Sequence, residues 1–287
     1  MLFSTAKEKF ILYLETKDYS DATINGYGKE LKYFNNWLEK EFNGPVYLDE
    51  ITTQILEDYL LYRKKKGDST ASRSRITYIF KSFYKFVARK DLGKNIALDL
   101  EAVKVRSKER QYLTAEEMDK VLEEIRKPLI KIVTLFLYHS GCRISDALDL
   151  KISSGLDFEN DVIHFLSSKG NKDYDVPLSS KLRQALLDYL ENVRPEVESD
   201  YVFATERSGS LSRAYYNREL KQAVKDAGID KEITAHCIRH STAVRLCREE
   251  SVDLATVRDL LNHESLKTTS IYLHSNLDQM QSALEAI

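Results

Sequence analysis

Between Glu101 and Leu113 the apolar periodicity of the flanking segments stops, and AVKVRSKERQY takes over, rich in charge and poor in side chains that pack. A chain of 287 residues can bury more than one core, and a break at this point puts a core on each side of it. The expected organisation is a helical domain over residues 1–103, a linker over 104–112 and a second domain over 113–287. The expected fold class is mainly α with a small β element.

The first block reads as helices throughout. Tyr27, Leu31, Phe34 and Leu38 recur at helical spacing, as do Ile76, Ile79, Phe80, Phe83 and Val87 further on, and such stripes are core faces. A different stripe accompanies the second of these: Lys81, Lys85 and Arg89 lie four apart, preceded by Arg73 and Arg75 and by the run Arg63, Lys64, Lys65, Lys66. The net charge of -2 hides this concentration, because residues 61–110 carry 15 Lys or Arg against 5 Asp or Glu. A basic stretch of this kind suits DNA phosphates, and the candidate contacts are Arg63, Lys64, Arg73, Arg75, Lys81, Lys85, Arg89 and, in the linker, Lys104 and Arg106. The competing reading of any surface cation is a solvated helix face.

The second block opens on Thr114-Ala-Glu-Glu117, a capping box in which the threonine hydroxyl and the glutamate three residues on satisfy free backbone donors. An apolar helical run follows from Ile130 to Tyr138, then VIHFLSSKGNKDYDVPL, a short β element whose Gly170-Asn171 pair suits a two-residue hairpin turn. Helices are expected almost to the end, with one short apolar stretch, Tyr201–Ala204, as a further strand.

Chemistry-bearing residues gather in this block. Four of the six histidines follow Lys231, and three of them sit in two tight groups, His236-Cys-Ile-Arg239-His240 and Asn262-His263-Glu. His236 and Arg239, three apart, share a helical face, which sets a cation beside a group able to carry a proton near neutral pH. Arg143 follows Gly141, where an apolar helix should break, so its guanidinium can project from a helix start; two arginines meeting there could clamp a phosphodiester. Lys169 sits next to the hairpin tip, and Tyr272 lies nine residues after His263.

The order and context of these residues resemble the tyrosine recombinase (phage integrase) family, especially its Xer-like members. SGCRISDALDL is similar to the family's segment around its first arginine, SSKGNKDYDVPL to its lysine hairpin, TAHCIRHSTAVRL to its His-x-x-Arg helix and LNHESLKTTSIYLH to its final His and nucleophilic Tyr; the helices from YSDATINGY onward resemble its core-binding (SAM-like) domain. The resemblance spans nearly the whole chain. It implies a C-shaped DNA clamp, a covalent 3′-phosphotyrosine intermediate and a tetramer on two DNA sites, serving chromosome dimer resolution or mobile-element integration and excision, with a second recombinase or an accessory protein as a further candidate partner. By the same resemblance Tyr272 is the nucleophile, Arg143 and Arg239 hold the phosphate, and Lys169 protonates the leaving 5′ oxygen. His236 assists proton transfer with the tyrosine, His263 hydrogen-bonds the phosphate, and Asp146 orients Arg143. Three positions depart from the family pattern without removing a catalytic group: Asn262, where a Gly is common before the final His, Cys142, where a Leu is common, and Glu250, where a Gly is frequent.

Physical chemistry is consistent with those roles. A tyrosine of ordinary pKa near 10 is a poor nucleophile at pH 7 unless cations and a base stabilise its phenolate. The phosphotyrosine ester is close in energy to the bond it replaces, so no metal, nucleotide or other cofactor is expected. Rival readings are a zinc hydrolase using His236 and His240 at i, i+4 spacing, a type IB topoisomerase, and a DNA-binding protein of the same fold that does not cut. Arg239 argues against the first, since it would bring a guanidinium beside the metal. Three cysteines without CxxC spacing offer neither a disulfide framework nor a four-cysteine zinc site. With no apolar run near the roughly 20 residues a membrane span needs, and no sustained apolar segment in MLFSTAKEKF, a cytoplasmic enzyme without membrane partners is expected. Helices that begin almost at residue 1 leave no room for an additional arm-binding domain, which favours a simple core-site recombinase.

Overall fold

The computed structural model describes residues 1–105, 111–166, 173–248 and 252–262. The chain divides into two compact units, Met1–Lys108 and Glu109–Ile287. Among the described residues, no helix is long and apolar enough to cross a membrane.

Among its described residues the first unit holds four helices, α1 (Phe3–Glu15), α2 (Asp21–Glu41), α3 (Thr53–Lys65) and α4 (Thr70–Arg89), with a 3-10 turn at Leu48–Glu50. Three of them begin where a hydroxyl satisfies a free N–H of the first turn: Ser20 for α2, Thr52 for α3 and Ser69 for α4. The stripes read from the sequence face inward. Leu31, Phe34 and Leu38 of α2 and Ile76, Ile79, Phe80, Phe83 and Val87 of α4 are buried, with Tyr27 packed at the margin. Aromatic rings lock the helices together: Phe3 meets Phe34 edge-on at 5.2 Å, Phe10 meets Phe83 at 5.5 Å and Phe34 meets Phe80 at 4.7 Å. Each such pair contributes about 1 kcal/mol beyond its buried area.

The second unit starts with the expected capping box, where the Thr114 hydroxyl accepts from the Glu117 N–H and the Glu117 carboxylate from the Thr114 N–H, opening α5 (Ala115–Glu124). Next comes α6 (Pro128–Ser140), buried on most sides and ended by Gly141 in the left-handed region at φ 63°. Glycine suits that position on two counts, because a Cβ there would also lie 2.8 Å from the Leu261 side chain. Short helices α7 (Ile144–Asp149) and α8 (Ile152–Gly155) lead into an antiparallel sheet of β1 (Leu156–Asp157), β2 (Val162–Phe165) and β3 (Tyr174–Pro177), in that order. Phe165 stands opposite Tyr174 and His164 opposite Asp175. The strands of the hairpin are therefore present, while its tip, with Lys169, Gly170 and Asn171, lies outside the described residues. The chain continues through α9 (Ser180–Asn192), α10 (Arg213–Asp226), α11 (Ala235–Arg248) and α12 (Leu254–Leu260).

The strand expected at Tyr201–Ala204 does not form. Tyr201 makes one isolated bridge to Lys151, and Val202 and Phe203 form a buried turn, with Ala204 buried beyond it. Their apolarity reflects burial in the core beside α6 and α9, where Phe203 packs against Phe136 and Tyr189, and four apolar residues cannot distinguish a buried turn from a strand.

Candidate active site

Two segments of the second unit converge on the end of α12. Arg143 caps the start of α7, immediately beyond the Gly141 break, with backbone φ -74° and ψ 149°. This is the projection from a helix start expected of it, and 39% of its side chain remains exposed. Arg239, on the second turn of α11, is only 3% exposed. Its guanidinium donates to the carbonyl of Gly141 at 2.8 Å and to the carbonyl of Leu261. Arg143 donates to the next carbonyl, that of Asn262, at 3.1 Å. Two arginines 96 positions apart are thereby brought to adjacent peptide groups, directly before His263 in sequence.

Asn262 makes that approach possible by adopting φ 46°. Asparagine and glycine enter the left-handed region at least cost, which gives a physical reason why asparagine serves at a position where glycine is common.

Asp146 lies one turn along α7 from Arg143, with its Oδ2 3.7 Å from Nη1. The same oxygen accepts a 2.6 Å hydrogen bond from the Tyr174 hydroxyl, while Oδ1 accepts from Ser145 at 3.1 Å. Burial, the neighbouring Cys142 and the Asp146 carboxylate raise the Tyr174 pKa well above that of an ordinary phenol. Burial likewise pushes the Cys142 thiol up to about 12, so it stays protonated and unreactive at neutral pH.

His236 is exposed on the first turn of α11, one turn before Arg239. His240 is 7% exposed and meets the Tyr112 ring edge-on at 5.8 Å, a packing position. Among the described residues no three His, Cys, Asp or Glu side chains gather as a metal site. Lys169, His263 and Tyr272 lie outside the described residues.

Residues 111–279 match the phage integrase family, and residues 8–91 match the phage integrase N-terminal SAM-like domain. The chain belongs to the phage integrase family. It is a tyrosine recombinase, an enzyme of site-specific recombination that breaks and rejoins DNA strands. It is 32% identical to tyrosine recombinase XerC of Lactobacillus delbrueckii subsp. bulgaricus, over 96% of each chain. With tyrosine recombinase XerD of Halalkalibacterium halodurans it shares 30% identity, over 91% of this chain and 90% of that one. Among solved structures it is similar to XerH site-specific recombinase bound to palindromic difH substrate, with 25% identity, a TM-score of 0.73 and coverage of 92% of this chain and 79% of that chain.

In this tyrosine recombinase the basic stretch does not present all its cations alike. Lys64, Arg75, Lys85, Arg89 and Lys104 are exposed and Lys81 is half-buried. Arg63 turns inward: it pairs with Glu30, donates to Asp68 at 2.7 Å and to the Tyr59 hydroxyl at 2.8 Å. Arg73 is half-buried, with its Nε enclosed, and Arg75 lies against Gly26 of α2. Arg106 falls outside the described residues. The sequence of the recombinase does not single out Tyr174, because its partner is 28 positions away. Its place in the hairpin opposite Phe165 is the signal that could have found it.

Proposed function

We propose that this recombinase cuts DNA through Tyr272. The phenolic oxygen attacks the scissile phosphorus, the bond to the 5′ oxygen breaks, and a 3′-phosphotyrosine ester forms. The tyrosine proton passes to His236, and Lys169 gives a proton to the departing 5′ oxygen. Attack by a 5′ hydroxyl on the ester reverses each transfer and reseals a strand, so bond energy is conserved and no metal, nucleotide or other cofactor takes part. Arg143, Arg239 and His263 stabilise charge on the non-bridging oxygens as the phosphorane develops, which is the electrostatic contribution that commonly dominates such steps.

The observation that carries this reading is the meeting of Arg143 and Arg239 at the carbonyls of Asn262 and Leu261. It fixes two guanidinium groups beside the point where the chain enters the His263–Tyr272 segment. Duplex DNA is the substrate, with phosphate contacts from Lys64, Arg75, Lys81, Lys85, Arg89 and Lys104. Four subunits pair two sites in the cytoplasm, to resolve chromosome dimers or to move a mobile element.

Incubation of the purified protein with EDTA and a nicked suicide substrate from its own genomic neighbourhood should yield a covalent protein–DNA adduct on a denaturing gel. The adduct should be absent with Tyr272→Phe. Binding without adduct on a verified site would favour a DNA-binding protein that does not cut.

A further inference from the structure

We infer that Tyr174 is a positioning residue for strand cleavage, holding Asp146 so that Arg143 stays available to the scissile phosphate. The inference rests on the reading of Arg143 as a phosphate ligand.

Tyr174 opens β3 and stacks on Phe165 of β2, with ring centroids 4.8 Å apart and planes at 22°. Phe165 in turn meets Phe136 of α6 edge-on at 6.2 Å. The phenol is thus anchored in the core at its ring, while its hydroxyl delivers a 2.6 Å hydrogen bond to Asp146 Oδ2. That oxygen is also the one facing Arg143, whose Nη1 stands 3.7 Å away, beyond hydrogen-bond range. Ser145 donates to the other oxygen at 3.1 Å.

An arginine and a carboxylate one helical turn apart tend to close into a short, bidentate pair. Here both carboxylate oxygens already accept from hydroxyls, and the guanidinium remains at arm's length, donating instead to the Asn262 carbonyl at 3.1 Å. An Arg143 closed onto Asp146 would be displaced and partly neutralised just where a phosphate needs its charge. The raised pKa of Tyr174 keeps the phenol a donor throughout the neutral range. Tyr174 also opens β3, so its bond to Asp146 ties that strand to α7.

Tyr174→Phe keeps the ring stack and removes the donor. In single-turnover cleavage of a suicide substrate by the full chain, the rate should fall about ten-fold, the scale of one lost hydrogen bond, with DNA affinity unchanged. A substrate whose scissile phosphate is a methylphosphonate carries no net charge there and leans less on the guanidinium, so the loss on it should be smaller. The ratio of the two rates in one preparation is insensitive to a misfolded fraction, because that fraction slows both reactions alike. A ratio equal to that of the wild type overturns the inference. So does a full additive loss when Tyr174→Phe is placed in an Asp146→Ala background, where a role exerted through Asp146 has nothing left to act on. Arg143→Ala separates the two levels: normal cleavage by that variant sinks the phosphate-ligand reading itself, whereas its failure alongside a wild-type ratio for Tyr174→Phe sinks only the positioning role.

Discussion

At the scale of the residue, Asn262 shows how one dihedral angle supports a site. Its φ of 46° turns the chain at the end of α12 and aims its carbonyl at Arg143. A β-branched side chain is strained there, so Asn262→Val should lower stability by about 1–2 kcal/mol and slow cleavage further by moving the carbonyl. Asn262→Gly, which adopts the same angle freely, should retain both; thermal melts and adduct formation of the two variants provide the comparison. The break at Gly141 and the projection of Arg143 were legible in the sequence because both are local consequences of chain geometry. The inward turn of Arg63 was not. Within Arg63-Lys-Lys-Lys66 it looks like one more surface cation, and only the packing of α3 beside α2 sets it against Glu30. Burial works against the charged form of Arg63, but its bonds to Tyr59, Glu30 and Asp68 outweigh that and hold its pKa above the ordinary value.

At the scale of the element, the start of α5 is joined to the loop before α11 by the Lys231 ammonium, which donates to Glu117 and to the Tyr112 carbonyl. Burial alone would raise the Glu117 carboxyl, yet Lys231 and the Thr114 N–H overcome it and hold the group below the usual carboxylate range. A depressed carboxylate stabilises the fold above its ordinary pKa and ceases to do so as pH falls through the lowered value. Lys231→Met should therefore cost about 1 kcal/mol at pH 7, and the gap from the wild type should close below about pH 4; denaturant melts at the two pH values read it directly. The helix α4 divides by face, with Ile76, Ile79, Phe80, Phe83 and Val87 buried and Lys85 and Arg89 exposed. Replacing Lys81, Lys85 and Arg89 with Ala should weaken DNA binding and flatten its dependence on salt, since a protein that neutralises fewer phosphates releases fewer counterions. An unaltered slope would make the stripe a solvated face. The capping box of α5 and the apolar stripes were readable because each pattern lies within one helix. The hydrogen bond from Tyr174 to Asp146 joins different elements and has no such period to betray it.

At the scale of the whole molecule, each unit closes its own core: Phe3, Phe34, Tyr59 and Phe80 belong to one, and Val133, Phe136, Phe203 and Tyr216 to the other. A fragment of residues 1–105 should accordingly keep a cooperative helical melt by circular dichroism, and a gradual, featureless melt would mean that its core depends on the rest of the chain. The sequence past Tyr272 keeps Leu277, Met280, Leu284 and Ile287 at helical spacing, and lies outside the described residues. If that stretch docks in a neighbouring subunit, deletion of residues after Leu277 should spare DNA binding and weaken assembly, and an unchanged recombination rate would count against docking.

Arg239 bears on how such an enzyme can be silenced. Its guanidinium fastens the buried carbonyls of Gly141 and Leu261, so Arg239→Ala would strand two backbone acceptors at a cost of about 1–3 kcal/mol each. The protein would be thinned by the cell's quality control and, under the proposed mechanism, disabled as well. Under the proposed mechanism, a gene copy that keeps its product abundant while losing its chemistry has a narrower route, through Tyr272. Decaying relatives that persist as bound, inert occupants of DNA should thus have lost the tyrosine and retained the arginine.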